Sequence, residues 1–387
     1  MAHIRKRGKT YSYTVDMGVD PVTGKRRQLH KGGFTRKKDA EAAARKVELS
    51  LDENRFIEPS KKKFSDFIDE WFNNHYKNRI RNTTAVSRRY LIEKHILQNN
   101  SLCNKAISEI STADLDAYYN EKLALGYSGS YVRQIHQIIN RAFDQAVRWK
   151  KLSENPAVDT DPPSIRKKEL PIWSIAHIQT FLAACRKEPH YVTFLLAIYT
   201  GMRKGEILGL RWDDVDMKNG KIQVNKSLSY IPEEGYQLGS LKTPKSKRLI
   251  PIPEFVINEL ITHKGNQNNW KRLVGESFVD QDLVICTAEG SAVDPRNLSR
   301  VMNRIVRSVN VPKIRFHDLR HTHASILVSK GVDVVRISAR MGHANPKITL
   351  EYYAHLLPNE NDDVADIFHN AIQDSSDIRE DKDDKEM

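Results

Sequence analysis

Residues 317–323 read His317-Asp318-Leu319-Arg320-His321-Thr322-His323, and what this stretch binds decides how the chain around it is read. On an α-helix, positions i, i+3 and i+4 share a face, so His317, Arg320 and His321 are brought together. Two chemistries compete for such a face. Histidines at i and i+4 have the spacing of a helical zinc site. Against that, the acidic residue here is Asp318, Arg320 would point at the metal, and the surroundings are basic. The alternative is an anion site, with His317 as donor or acid/base and Arg320 as clamp.

Two further stretches bear on the same question. Upstream, Thr200-Gly201-Met202-Arg203-Lys204-Gly205-Glu206-Ile207-Leu208-Gly209-Leu210 sets a lone arginine in a glycine-flanked turn that opens a helix. Backbone N–H groups and a guanidinium converging in this way suit a phosphate oxygen, although a plain surface helix start reads the same. Glu206 fits as a group that orients Arg203 or the helix start. Downstream, Met341-Gly342-His343 leads through Ala344 to Thr349 and on to Tyr352-Tyr353-Ala354-His355. A phenol with a pKa of about 10 is a poor nucleophile unless cations lower the cost of its phenolate. The two stretches upstream supply such cations.

The rest of the chain is organised around this third unit. Its 387 residues are long for one core and suggest two or three domains. A net charge of +13 on a chain that is 39% hydrophobic points to a folded protein with a polyanionic partner, nucleic acid before membrane. Cys103, Cys185 and Cys286 are odd in number and widely spaced, which excludes a disulfide framework or zinc knuckle and fits a reducing cytoplasm. No secretory signal is read at the start, and the apolar run at 192–199 is too short to cross a bilayer. Residues 1–57 read as a small sheet, with a strand at 11–15, a turn at 20–24 and a return at 25–31, followed by a helix from about Thr35 to Glu53. From Met1 to Lys38, eleven basic residues face only Asp16 and Asp20. A solvated hairpin is the bland reading, but one so lopsided repels itself without a partner. Residues 60–152 read as four helices, at 64–76, 83–97, 113–125 and 130–149. Phe64, Phe67, Ile68, Trp71 and Phe72 fall at core spacing, and Ser111 to Asp114 form a cap. Arg81, Arg88, Arg89 and Lys94 in the second helix, and Arg133, Arg141 and Arg148 in the fourth, supply charge for phosphates. Residues 153–170, with Pro156, Pro162 and Pro163, read as a linker. Residues 171–368 are mixed: helices at 176–186, 190–199, 295–309 and 317–330, with hairpin strands at 221–228, 237–242 and 248–252. The tail at 369–387 reads as acidic and disordered. The expected fold class is therefore multidomain α+β, with a small three-stranded sheet plus helix, a four-helix bundle, and a mainly α domain with β-hairpins.

At this point the residues resemble the tyrosine recombinase (phage integrase) family. Thr200 to Asp213 is similar to the family's first-arginine motif, down to the ending Leu208-Gly-Leu-Arg-Trp212. His317-Asp-Leu-Arg320-His321-Thr322 resembles its H-x-L-R-H-T motif. Gly342-His343 resembles its leucine-glycine-histidine motif, with Met341 in place of the leucine, and Tyr353-Ala-His355 resembles the ending around its nucleophile. The hairpin 241–248 is similar to the one that carries the catalytic lysine; Lys242 matches best, with Lys245 and Lys247 left open. The resemblance implies catalytic residues Arg203, Lys242, His317, Arg320, His343 and Tyr353. Tyr353 would attack a DNA phosphorus and form a 3′-phosphotyrosyl link, with Arg203 and Arg320 clamping the phosphate oxygens. Lys242 would protonate the leaving 5′-oxygen, His317 would handle the nucleophile's proton, and His343 would hydrogen-bond the phosphate. Neither a metal nor a cofactor is implied. The resemblance also makes 1–57 an arm-type DNA-binding domain, 60–152 a core-binding domain and 171–368 the catalytic domain. It implies double-stranded DNA with core and arm attachment sites, a homotetramer on DNA, and a host bending factor or excisionase as possible helpers. It implies integration and excision of a phage or other mobile element, in the cytoplasm of a bacterial host and with no membrane involved.

Two rivals remain at this level. A type IB topoisomerase shares the site but rejoins the original strand. A DNA-binding repressor or architectural protein explains the charge and the domains, but leaves the ordered Arg, His-x-x-Arg, His, Tyr series without a cause.

Overall fold

The computed structural model describes residues 2–19, 24–52, 56–57, 60–98, 100–164, 171–231, 234–241, 246–343 and 345–353. The chain divides into two compact units, 1–167 and 168–387. It is mixed α+β with small antiparallel sheets, as expected.

The first unit opens with β1 (His3–Arg7), β2 (Thr10–Val19) and β3 (Arg26–Phe34), an antiparallel sheet in that order, and then α1 (Lys37–Asp52). Strand alternation turns Tyr13 and Val15 of β2 inward, where they are buried with Ala40 and Ala44 of α1. The opposite consequence falls on β1 and β3, whose Arg5, Lys6, Arg7, Arg26, Arg27 and Lys31 stand exposed. β1 is a strand that the residue pattern alone did not single out. The turn read at 20–24 lies outside the described residues except for Gly24.

Four helices follow in the same unit: α2 (Phe64–Trp71), α3 (Asn82–Ile92), α4 (Thr112–Ala124) and α5 (Gly129–Arg148). α2 and α3 each run on into a wider turn, Phe72–Tyr76 and Glu93–Leu97, which completes the two longer helices read from the sequence. Phe64, Phe67, Ile68, Trp71 and Phe72 are all buried in one core with Ile135, Ile139 and Phe143 of α5. Full burial of each such side chain is worth about 1.5–3 kcal/mol. Ser111 and Asp114 form the reciprocal cap that starts α4. Several arginines assigned to phosphate contact are occupied within the unit. Arg89 pairs with Asp69 and Glu93, Arg133 donates to the Pro162 and Pro163 carbonyls, and Arg141 donates to the Tyr76 hydroxyl.

The second unit contains α6 (Ile175–Cys185), α7 (Tyr191–Thr200) and α8 (Lys204–Leu208), then β4 (Val215–Asp216), β5 (Lys221–Val224), β6 (Lys226–Ile231), β7 (Gly235–Ser240) and β8 (Arg248–Pro251). It ends with α9 (Glu254–Val274), α10 (Pro295–Ser308), α11 (Asp318–Ser329), α12 (Val334–Met341) and α13 (Pro346–Tyr353). α7 is buried on nearly every side, which makes it the central helix of the core. The strand read at 221–228 is broken at Asn225, whose side chain donates to Asp214. Before the break β5 pairs with β8, setting Ile222 against Ile250; after it β6 pairs with β7. α9 has 21 residues with only Val256 and Leu260 buried, and sequence periodicity gave no helix there. The linker's Lys167 and Lys168, and the acidic tail, lie outside the described residues.

Candidate active site

The site is built on two left-handed glycines. Gly201 ends α7 at φ 64°, and a Cβ there would sit 2.8 Å from both His323 and Met341. Only glycine fits this turn, which lifts the chain out of α7 and delivers Arg203 at the start of α8. Gly342 ends α12, also at φ 64°, and a Cβ there would meet Arg248 at 2.9 Å. This second turn presents His343 and leads into α13.

Arg203 is anchored by Glu206, as the sequence suggested. The Glu206 carboxylate accepts from the Arg203 backbone N–H at 3.0 Å and from its guanidinium at 2.8 Å. A second guanidinium, from Arg248 on β8, reaches the other oxygen at 2.8 Å. Burial works against the charge on Glu206, but these hydrogen bonds and the two cations outweigh it and hold its pKa below the ordinary glutamate value. Arg203 also donates to the Gly342 carbonyl at 3.3 Å and keeps more than a third of its side chain exposed. Arg320, on α11, is almost fully buried. It donates to the Gly201 carbonyl at 2.5 Å and to the Met341 carbonyl. The two arginines thus cross-tie the turns: Arg320 holds the one that carries Arg203, and Arg203 holds the one that carries His343.

The histidines divide by role. His323 faces inward, bonded to the Ile198 carbonyl and to Arg340, and belongs to the scaffold. His343 is half-buried and His317 more exposed, both beside the arginines. Burial first, and then the neighbouring cations, pull each of them down to about 4, so both are neutral near pH 7. His343 Nδ1 lies 2.8 Å from the Thr349 hydroxyl on α13. The rings of His317 and His321 meet edge to face with centroids 5.1 Å apart.

Tyr353 ends α13 only 2% exposed, packed with Ala324, Val328, Ile337 and Met341. Tyr352 turns away and is 47% exposed. Burial raises the Tyr353 pKa above the ordinary phenol value, and Arg320 offsets only part of that rise. Its hydroxyl meets Nδ1 of His321 at 2.5 Å.

Five of the six residues selected from the sequence therefore converge: Arg203, His317, Arg320, His343 and Tyr353. Lys242 and its alternative Lys245 lie outside the described residues, while Lys247 is exposed just before β8. Sequence reasoning missed Arg248, although a buried Glu206 shared with a half-exposed arginine calls for a second cation. It also weighed His321 only as a metal ligand. Among the described residues, no group of three or more His, Cys, Asp or Glu is arranged to hold a metal ion, and no helix is long and apolar enough to cross a membrane.

Three stretches of the chain match known families. Residues 174–360 match the phage integrase family, residues 3–51 an arm DNA-binding domain, and residues 63–123 the phage integrase N-terminal SAM-like domain. A XerC-like tyrosine recombinase of Caldanaerobacter subterraneus is 28% identical, covering 72% of this chain and 76% of its own. The ICEBs1 integrase of Bacillus subtilis is 26% identical, covering 92% of this chain and 96% of its own. Among solved structures, the integrase of transposon Tn1549 in complex with a circular intermediate DNA superposes with a TM-score of 0.67. It does so at 21% identity over 76% of this chain and 95% of that one, which is a likeness of fold.

Proposed function

The chain belongs to the phage integrase family of tyrosine recombinases, and from that premise we propose that it is a site-specific DNA recombinase that integrates and excises a mobile element through a phosphotyrosyl bond at Tyr353. The observation that carries this reading is the enclosed Tyr353 hydroxyl beside the buried Arg320, with the half-exposed Arg203 joined to the same framework. A repressor has no use for a buried phenol held against fixed cations. In phosphoryl transfer the attacking oxygen, the phosphorus and the leaving oxygen lie in line, and catalysis is mainly positioning and charge stabilisation. Arg203 and Arg320 meet the oxygens on which charge builds, and His343 adds a donor. Lys242 protonates the 5′-oxygen as it leaves. The ester conserves the bond energy, so rejoining to a second strand requires no nucleotide.

Exchange of both strands between two duplexes needs four cleavages, and each protomer carries one nucleophile, so four copies act on two DNA sites. The exposed basic strands β1 and β3 suit a separate arm site, with the α2–α5 bundle and the second unit on the core site. A host bending factor or an excisionase would then set direction by bringing arm and core sites together.

The test is a nicked suicide duplex carrying a candidate attachment site, found by sequencing the DNA next to the gene for direct repeats. The protein should form an adduct on a denaturing gel, with excess chelator present, and should transfer the cut strand to a second duplex. An adduct that only reseals its own strand would mark a type IB topoisomerase. Binding with no adduct would mark a repressor.

A further inference from the structure

The family resemblance implies that His317 handles the nucleophile's proton, but the structure sets a different side chain on Tyr353. Nδ1 of His321 lies 2.5 Å from the Tyr353 hydroxyl. His321 follows Arg320 directly on α11, so the helix that clamps the phosphate also fixes the phenol. The rings of His321 and Tyr353 are tilted, with centroids 6.0 Å apart, and the hydroxyl rather than the ring face meets the nitrogen.

The protonation states follow from the surroundings. Burial raises the Tyr353 pKa, so at neutral pH the phenol keeps its hydrogen and is the donor in this bond. Burial lowers the His321 pKa, Arg320 and Arg315 lower it further, and Asp318 works against them. A neutral imidazole with its hydrogen on Nε2 then offers the Nδ1 lone pair to the phenol. The charged and titratable groups around it are His317, Asp318, Arg315 and Arg320 from α11 and the turn before it, and Tyr352 and Tyr353 from α13. His343 stands close enough in the next turn to feel the His321 charge.

We propose that His321 is the general base of the cleavage step, taking the Tyr353 proton on Nδ1 as the phenolic oxygen attacks phosphorus and returning it when the joined strand is released. In cleavage the Oη–H bond breaks and an Nδ1–H bond forms, the Oη–P bond forms and the P–O5′ bond breaks, and the 5′-oxygen takes its proton from Lys242. Joining runs each transfer backwards, so no co-reactant is consumed. A base is needed here for a physical reason: an enclosed phenol with a raised pKa is almost never ionised in advance. The proposal rests on Tyr353 being the nucleophile.

The experiment uses the full chain on the nicked suicide duplex, with the scissile phosphate first mapped using the unaltered protein. A second duplex carries a bridging 5′-sulfur at that phosphate, a leaving group that needs no acid. His321→Gln and His321→Ala should slow single-turnover cleavage by about two to four orders of magnitude. The sulfur should not restore them, since it relieves only the leaving group. Their rates should climb with pH as phenolate forms, whereas the unaltered protein should be level above neutrality and fall off in acid, below the ordinary histidine range. Free imidazole should restore part of the rate of His321→Ala. Variants as fast as the unaltered protein, rescue by sulfur, or a slowed reaction with an unchanged pH profile would each overturn the proposal. An unaltered protein that makes no adduct, or makes it elsewhere than Tyr353, defeats the functional reading itself. Should both variants fail to fold, nitrogen NMR of histidine-labelled unaltered protein decides the matter: a bare Nδ1 on His321 supports the base, and a hydrogen on Nδ1 at neutral pH overturns it.

Discussion

Arg248 Nη2 lies 2.8 Å from Glu206 Oε2, with the two side chains 6% and 2% exposed. An ion pair so enclosed gains little net energy from forming, yet it is costly to break, because one partner is left charged and without its counter-charge. Replacing Arg248 by Leu should therefore cost about 3 kcal/mol, read as a fall in the denaturation midpoint of the second unit. It should also loosen Arg203 and slow cleavage. A variant that melts with the unaltered protein would remove Arg248 from the framework.

The same carboxylate gives a pH signature. Glu206 has a folded pKa below its ordinary value of 4.5. Its contribution to stability is therefore complete above that ordinary value and is lost as pH falls through the lowered one. Glu206→Gln should be less stable at neutral pH, and the difference from the unaltered protein should shrink as the solution is acidified. A difference that grows in acid would contradict the assignment.

Arg203 and Arg320 should separate when each is changed to Ala. Loss of a preorganised donor costs about two to three orders of magnitude in cleavage, and both should show it. Only Arg320 is also a buried tie between the Gly201 and Met341 carbonyls, so only its loss should clearly lower the melting temperature. DNA affinity should fall much less than the rate in both variants. Equal losses of binding and cleavage would make them ordinary phosphate anchors.

Tyr353→Phe should fold, since the ring keeps its neighbours Ala324, Val328, Ile337 and Met341, and should bind DNA without forming an adduct. Tyr352→Phe removes a hydroxyl from an exposed ring and should still trap one. Mass spectrometry of the adducted peptide decides between the two positions. A nucleotide found on Tyr352 would move the nucleophile by one residue.

Deleting residues 1–57 should spare nicking of a core site and abolish integration. Binding of the arm site should weaken by about 0.9 log units per log unit of salt for each phosphate neutralised. Salt-insensitive binding, or integration by the shortened chain, would contradict the role given to the exposed strands β1 and β3.

That Arg203, Arg320 and Tyr353 come together was legible because each sits in a short motif whose shape depends on a local turn, so spacing along the chain preserves the geometry. Arg248 was not, because its meaning depends on a carboxylate 42 residues away across the fold. His321 was read only as a metal ligand, since nothing in its own neighbourhood shows that α13 returns to meet it. α9 escaped for a different reason. Its run Gly265-Asn-Gln-Asn-Asn269 has loop composition, and only Val256 and Leu260 are buried along its length. With so narrow an apolar stripe, periodicity has little to detect. The helical bundle was the easiest part, because its aromatic core repeats at helical spacing.

Gly201 and Gly342 touch no substrate atom in the proposed chemistry, yet each is hemmed in by the side chains that hold the site together: His323 and Met341 around one, Arg248 against the other. In a random-mutagenesis screen for dead recombinase, these two codons should therefore be hit as often as those of the arginines. A library built to retarget the enzyme to new DNA sequences should hold both codons fixed while it varies the surface. Their intolerance would look like catalysis in such a map, and its origin would be steric.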